Sequence, residues 1–225
     1  MPEVGQVESF INIIDRSGFF ETVEISNEDL KKTEMYAANA KREQAKLSFT
    51  DYGEYLDSLK MTGIVKPFEP MYMERIAQLT NKSNQFNLTT LRCSVEDVTG
   101  MANDGQYITL AGRLNDKFGE NGLVAVSAGK IDGDGLDIIL WLMSCRVLKR
   151  GLENAMMNEL VAQCQRKDIK RIIGHYYPTA KNAMVKNFYA EMGFKKINEN
   201  SVGNTEWALN VDEFKPFDVH MAIER

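Results

Sequence analysis

The apolar positions along this chain change their spacing from one segment to the next, and those changes mark out its elements. After Gly151, residues Leu152, Met156, Met157, Leu160 and Val161 recur at helical spacing, which predicts an amphipathic helix with a core-facing stripe. Just before it, GLDIILWLMS is a continuous apolar run of the kind that suits a strand covered on both faces. YITLAGRLND and GLVAVSAGKI are β-branched and apolar and predict two more strands, and IDGDG is the hairpin turn that joins the second of them to GLDIILWLMS. IKRIIGHYY reads as another buried strand, NAMVKNFYAEMGF as a helix stopped by Gly193, and TEWALNV as a last strand. Upstream, Pro70 suits a first helical position and MYMERIAQL continues that helix. TNKSNQFNLTT, which follows, is too rich in Asn, Ser and Thr for a helix interior. The order is helix, three antiparallel strands, helix, strand, helix, strand. It predicts an α/β fold with a mixed sheet, whose parallel step runs from the strand ending at Cys145 to the strand ending near His175.

The first part of the chain has another texture. ETVEISNEDLKKTEMYAANAKREQ is a charged helical pattern in which Ser26 and Asp29 have capping-box spacing, and a second short helix is expected over Asp51–Leu59. Such helices have too little apolar surface to form a core alone. Residues 1–60 are therefore expected to be a helical appendage or linker, residues 61–213 the main domain and 214–225 a tail.

Composition narrows the function classes. With 44% apolar and 26% charged residues the chain is an ordinary globular protein, and its net charge of −5 argues against nucleic acid as the partner. Its longest apolar run, Leu136 to Met143, is far below the roughly 18 residues of a membrane span, and nothing at the N-terminus reads as a signal peptide, so a cytoplasmic location is expected. Cys93, Cys145 and Cys164 are widely spaced and include no CxxC pair, which supports free thiols and no metal site.

Two stretches resemble the GNAT-type acyltransferase fold. KNAMVKNFYAEMGF is similar to the N-x-x-A-x-x-x-Y-x-x-x-G-F signature, with Asn182, Tyr189, Gly193 and Phe194 in register and Val185 in place of the alanine. RGLENAMMNEL is similar to the opening of the loop that holds the acyl-CoA pyrophosphate, Q/R-x-x-G-x-G/A, but Leu148 and Glu153 stand where the basic or amide residue and the second small residue belong. A carboxylate there repels the anion that a helix start would otherwise attract. More narrowly, RIAQLTNKSNQFNLTT, DKFGENG, WLMSCRVLKRGLENAMM and YYPTAKNAMVKNFYAEMGF resemble the C-terminal half of FkbH-like proteins, and EDLKKTEMYAANAKREQ resembles the helical segment before it.

That resemblance implies a carrier-dependent acyltransferase. Members join this half to an N-terminal HAD-like phosphatase and deliver a glyceryl group as a thioester to the phosphopantetheine arm of an acyl carrier protein, a route that serves polyketide biosynthesis. The phosphatase needs a D-x-D-x-T/V motif; the D-x-D here, Asp132 and Asp134, reads as hairpin-turn chemistry. A HAD-like phosphatase would then act from the same chain or another.

The candidate chemistry follows. In this layout a pantetheine arm lies between the two parallel strands where they splay, and Cys145 at the end of the first can attack a thioester, with His175 as its base. Arg146 and the helix start at Gly151 would favour the thiolate. Tyr189 occupies the general-acid position of GNAT enzymes, and Asn182 is expected to orient pantetheine or backbone amides. Gln85, Asn87, Thr89 and Thr90 offer groups for the hydroxyls of a glyceryl unit, and Asp116 with Phe118 either shapes a turn or lines the acyl pocket. Lys149 and Arg150 form a basic pair suited to an acidic carrier. Two other readings stand beside this one: an acyl-CoA-dependent N-acyltransferase using coenzyme A, and a non-catalytic module that docks a carrier protein.

Overall fold

The computed structural model describes residues 27–224, with side chains from Met35 onward; the predicted cap at Ser26 lies outside the described residues. The chain divides into two compact units, Met1–Glu43 and Gln44–Arg225. The main unit therefore begins earlier than the expected boundary at residue 61. Its helix Tyr52–Ser58 (α2, where α1 is Asn27–Lys46) is capped by the Asp51 side chain, which accepts from the Glu54 amide. Tyr55, Leu56 and Leu59 are buried in the main core, so this helix is part of the domain and not of an appendage.

Eight strands form one mixed sheet: β1 Met61–Lys66, β2 Tyr107–Asp116, β3 Gly119–Asp132, β4 Gly135–Met143, β5 Arg171–Tyr176, β6 Lys195–Glu199, β7 Thr205–Asn210 and β8 Met221–Glu224. Their order across the sheet is β6-β7-β5-β4-β3-β2-β1-β8. The expected hairpin at Asp132–Gly135 is present, with Gly133 in the left-handed region, and β4 runs parallel to β5. Residues 214–225, expected to be a tail, contribute β8, which lies parallel to β1 at the sheet edge.

Two layers of helix cover the sheet. The helix Leu152–Arg166 (α5) turns the predicted stripe inward, and all five of its residues are almost fully buried. The opposite face is covered by Met73–Lys82 (α3) and Val95–Asn103 (α4). Helix α4 went unread in the sequence, although Ser94 and Asp97 form a reciprocal capping box. The predicted helix over NAMVKNFYAEMGF is broken into a 3-10 turn, Ala183–Val185, and the short α6, Phe188–Glu191. The sheet face of β5 and β7 opposite α5 lies beyond α3 and α4 and keeps polar residues on it.

Candidate active site

Strands β4 and β5 pair from Gly135↔Arg171 to Ile138↔Gly174 and then part. A bulge in the β3 and β4 register falls at the same level, between Ala128 and Gly129. The opening is filled by the chain itself. Phe86–Thr89 enters it antiparallel to β4, with the Leu88 amide donating to the Trp141 carbonyl at 3.0 Å and the Met143 amide to the Phe86 carbonyl at 3.0 Å. On the other side, the Tyr177 amide donates to the Leu88 carbonyl at 2.8 Å.

The polar residues of this segment serve the backbone rather than a substrate. Thr89 donates its hydroxyl to the Ile139 carbonyl at 2.7 Å, while the Asn87 side chain donates to the Ser83 carbonyl and accepts from the Thr90 amide. Asn182, fully buried, donates to the carbonyls of Asn87 and Tyr177, each at 2.9 Å, and accepts from the Thr179 amide at 2.7 Å. These bonds meet the needs of buried peptide groups and correct the expectation that Asn87 and Thr89 face a substrate, whereas Asn182 orients backbone groups, one of the two roles expected of it. Gln85 remains exposed at one end of the segment, and Thr90, with a φ of 58°, turns the chain out at the other.

Of the proposed catalytic residues, Cys145 and His175 are not brought together. Continuing the register past Ile138↔Gly174 sets His175 beside Ile139, six residues before Cys145. At about 3.3 Å per strand residue this separation is on the order of 15–20 Å. Cys145 is exposed, at the start of the 3-10 turn Cys145–Val147, whereas Cys93 and Cys164 are buried. Burial pushes the Cys164 thiol up to about 12, an inert structural cysteine. Near Cys145, Asp116 accepts from the Phe118 amide and forms a buried ion pair with Arg150 at 3.1 Å, and Arg150 also donates to the Arg146 carbonyl. Arg150 is thus held inside, and of the expected basic docking pair Lys149 alone is exposed.

Tyr189 is sealed in the core. Its ring rests on Gly174, where a Cβ would lie 2.2 Å from a ring carbon, and packs against Phe188 and Phe194. Its hydroxyl lies near the His175 backbone with no well-formed hydrogen bond, and burial pushes its acidity far down, so a general acid at this position is corrected to a packing residue.

His175, expected as the base for the Cys145 thiol, is paired instead with residues that the sequence reading did not name. Its Nε2 lies 2.6 Å from an Asp137 carboxylate oxygen, and that hydrogen bond, with the charges of Asp137 and Glu206, raises the imidazole pKa against a smaller opposing effect of burial. Glu206 lies opposite His175 in the β5–β7 register, and the Tyr177 ring stands 6.0 Å from the imidazole. Asp137 was legible as the one charge inside the apolar run of β4; Glu206 required the register. This imidazole with two carboxylates, on an open sheet face at the parting of β4 and β5, can orient and deprotonate a nucleophile.

The start of α5 resembles a pyrophosphate loop in which Glu153 was expected to repel the anion. Gly151 caps it with a φ of 83°, and the half-buried Glu153 side chain stands there, its carboxyl pKa raised mainly by desolvation and opposed by the amides of Glu153 and Gly151. With Phe86–Thr89 in the gap, the residues present do not fit a pantetheine arm threaded between β4 and β5. Among the described residues, no group of three His, Cys, Asp or Glu side chains is placed to hold a metal ion, and no helix is long and apolar enough to cross a membrane.

Comparison with solved structures identifies the fold. The chain is similar to a GNAT-family acetyltransferase from Streptococcus pneumoniae, at 16% identity and a TM-score of 0.52 over 66% of this chain and 98% of that one. PaiA N-acetyltransferase from Thermoplasma acidophilum, in complex with coenzyme A, is similar at 12% identity and a TM-score of 0.52 over 66% of this chain and 98% of that one. The Escherichia coli ribosomal-protein-S18-alanine N-acetyltransferase is similar at 12% identity and a TM-score of 0.50 over 66% of this chain and 94% of its own. No family model and no curated protein matches. The chain therefore has the GNAT-type acyltransferase fold, while its narrower likeness to FkbH-like proteins finds no support in these comparisons.

Proposed function

We propose that this chain is an acyltransferase that moves an acyl group from a thioester donor to an amine, with His175 as the general base. The observation that carries this reading is the His175–Asp137 pair at the parting of β4 and β5 in a GNAT-type sheet. Asp137 and Glu206 attract a protonated amine to the open face, and Asp137 holds the imidazole in one orientation. Once the amine has lost its first proton to water, its nitrogen attacks the acyl carbon, the second proton passes to His175, and the carbon–sulfur bond of the thioester breaks to release the donor as a thiolate, which takes a proton from solvent. The imidazole then returns its proton to solvent. The coenzyme A complex among the structural neighbours favours acyl-CoA as the donor over a carrier-bound glyceryl group.

The test is thiol release from acetyl-CoA and longer acyl-CoA thioesters, with and without a panel of primary amines. Acceptor-dependent release is expected, and His175→Gln should lower it by roughly 10²–10⁴-fold. Absence of acceptor-dependent release with every thioester would sink the proposal.

A second reading rests on the exposure of Cys145 beside two buried cysteines. It assigns Cys145 a covalent glyceryl thioester passed to the phosphopantetheine of an acyl carrier protein, with a HAD-like phosphatase as a further partner. A glyceryl mass increment on wild type and not on Cys145→Ala, after mixing with glyceryl-loaded carrier protein, would favour this reading over the first.

A further inference from the structure

We infer that Phe86–Thr89 is a resident strand, permanently built into the gap between β4 and β5, so that no pantetheine arm is received there. The inference concerns how the donor is met and rests on the acyltransferase reading above. Two kinds of observation separate a resident strand from a lid.

The first is the backbone. Where two parallel strands part, each leaves peptide groups without partners, and an extended amide-bearing arm could satisfy them. Here they are already taken. The Trp141 carbonyl and Met143 amide of β4 bond to Leu88 and Phe86, the Ile139 carbonyl accepts from the Thr89 hydroxyl, and the Tyr177 amide beyond β5 bonds to Leu88. Asn182 fastens the Asn87 carbonyl from behind, using the kind of amide contact that the sequence had suggested for a pantetheine. A ligand entering the gap would have to replace every one of these bonds.

The second is burial. Phe86 and Leu88 belong to the main core, at 8% and 0% exposure, and Phe86 meets Phe188 edge to face with ring centroids 5.4 Å apart. A lid is drawn from weakly packed chain, whereas this segment is packed as tightly as the strands beside it. Withdrawing it would expose two large apolar side chains and strand Asn182 among unpaired carbonyls. The donor must therefore present its thioester from outside the gap, at the open face that carries His175.

Native-state hydrogen exchange, run beside the turnover assay, tests this. The amides of Leu88, Met143 and Tyr177 are expected to exchange only with the slowest core amides, at the same rate with and without millimolar coenzyme A. Local opening of these three amides well below the global barrier, or their deprotection when coenzyme A is added, would overturn the inference. Thiol release with the three amides still protected supports both proposals. Release accompanied by their deprotection overturns the resident strand and leaves the acyltransferase. Protected amides with no release in any assay overturn the acyltransferase and leave the strand. A Thr89→Val variant adds a second check: a lid loosened at Ile139 would gain turnover, while a resident strand gains none and loses thermal stability.

Discussion

The gap between β4 and β5 and the open sheet face beside it are built from residues of the same kind, put to opposite use. In the gap, Asn87, Thr89 and Asn182 turn their polar groups onto buried peptide groups and are almost wholly enclosed. On the face, Asp137 and His175 bond to each other with side chains 46% and 22% exposed, leaving room for an incoming group. The difference follows from what lies on each side. A polar group walled in by core must be matched by the chain, whereas one on an uncovered face can keep capacity for a ligand. On the proposed reading, the chemistry is displaced from the gap to the face next to it.

The largest effect on this comparison should come from emptying the gap. Phe86→Ala removes a buried ring that touches Phe188 and is expected to cost roughly 3–5 kcal/mol of stability in denaturant unfolding. A cost near zero would mean that the segment is not part of the core. Next comes Asn182→Ala, which leaves the Asn87 and Tyr177 carbonyls without their donor and the Thr179 amide without its acceptor. The expected cost is about 1–3 kcal/mol, seen as a lowered denaturant midpoint with an unchanged slope.

On the face, Asp137→Asn should act through pH more than through stability. The hydrogen bond to Asp137 raises the His175 pKa above its ordinary 6.5. A raised folded value means that this pair stabilises the fold fully below the unfolded pKa and ceases to do so as pH rises through the folded one. The stability difference between wild type and Asp137→Asn should therefore be present in mildly acidic buffer and vanish in alkaline buffer. The rate should carry the opposite sign, because the base form is the unprotonated imidazole. Acceptor-dependent turnover should rise with pH through the raised pKa in wild type, and the variant's rise should move to lower pH with a smaller plateau. An unmoved profile would take His175 out of the reaction.

How much of this was legible depended on whether a feature is local. The strands β2, β3 and β4, the hairpin at Gly133 and the inward stripe of α5 are written in spacing and turn residues, and they stand where the sequence set them. His175 was read as a base from residue type and its place at a strand end. Its partners were not, because Glu206 faces it only through β7, which joins the sheet antiparallel to β5 after a crossover. The pairing of Cys145 with His175 failed for a similar reason: both close an apolar run, but the parallel register sets the two ends at different heights. QFNLTT left two readings open, a substrate contact and a loop that satisfies backbone groups, because loop composition cannot tell them apart, and the hydrogen bonds of Asn87 and Thr89 favour the second. Its Phe86 and Leu88, two residues apart, were the signal of a strand.

Tyr189→Phe offers the smallest change and the finest cut. A general acid would lose most of its contribution with the hydroxyl, and turnover would fall by an order of magnitude or more. In this structure the hydroxyl is buried, lacks a well-formed bond and sits behind Gly174, on the face of β5 turned away from His175's open side. Deleting it removes an unsatisfied polar atom while the ring keeps its contacts with Phe188 and Phe194. Stability should then be unchanged or slightly higher, within about 1 kcal/mol, and turnover should match wild type. Equal turnover with equal or higher stability would place all the proton chemistry on the open face, since the aromatic ring below β5 would have been shown to support His175's strand without touching the reaction.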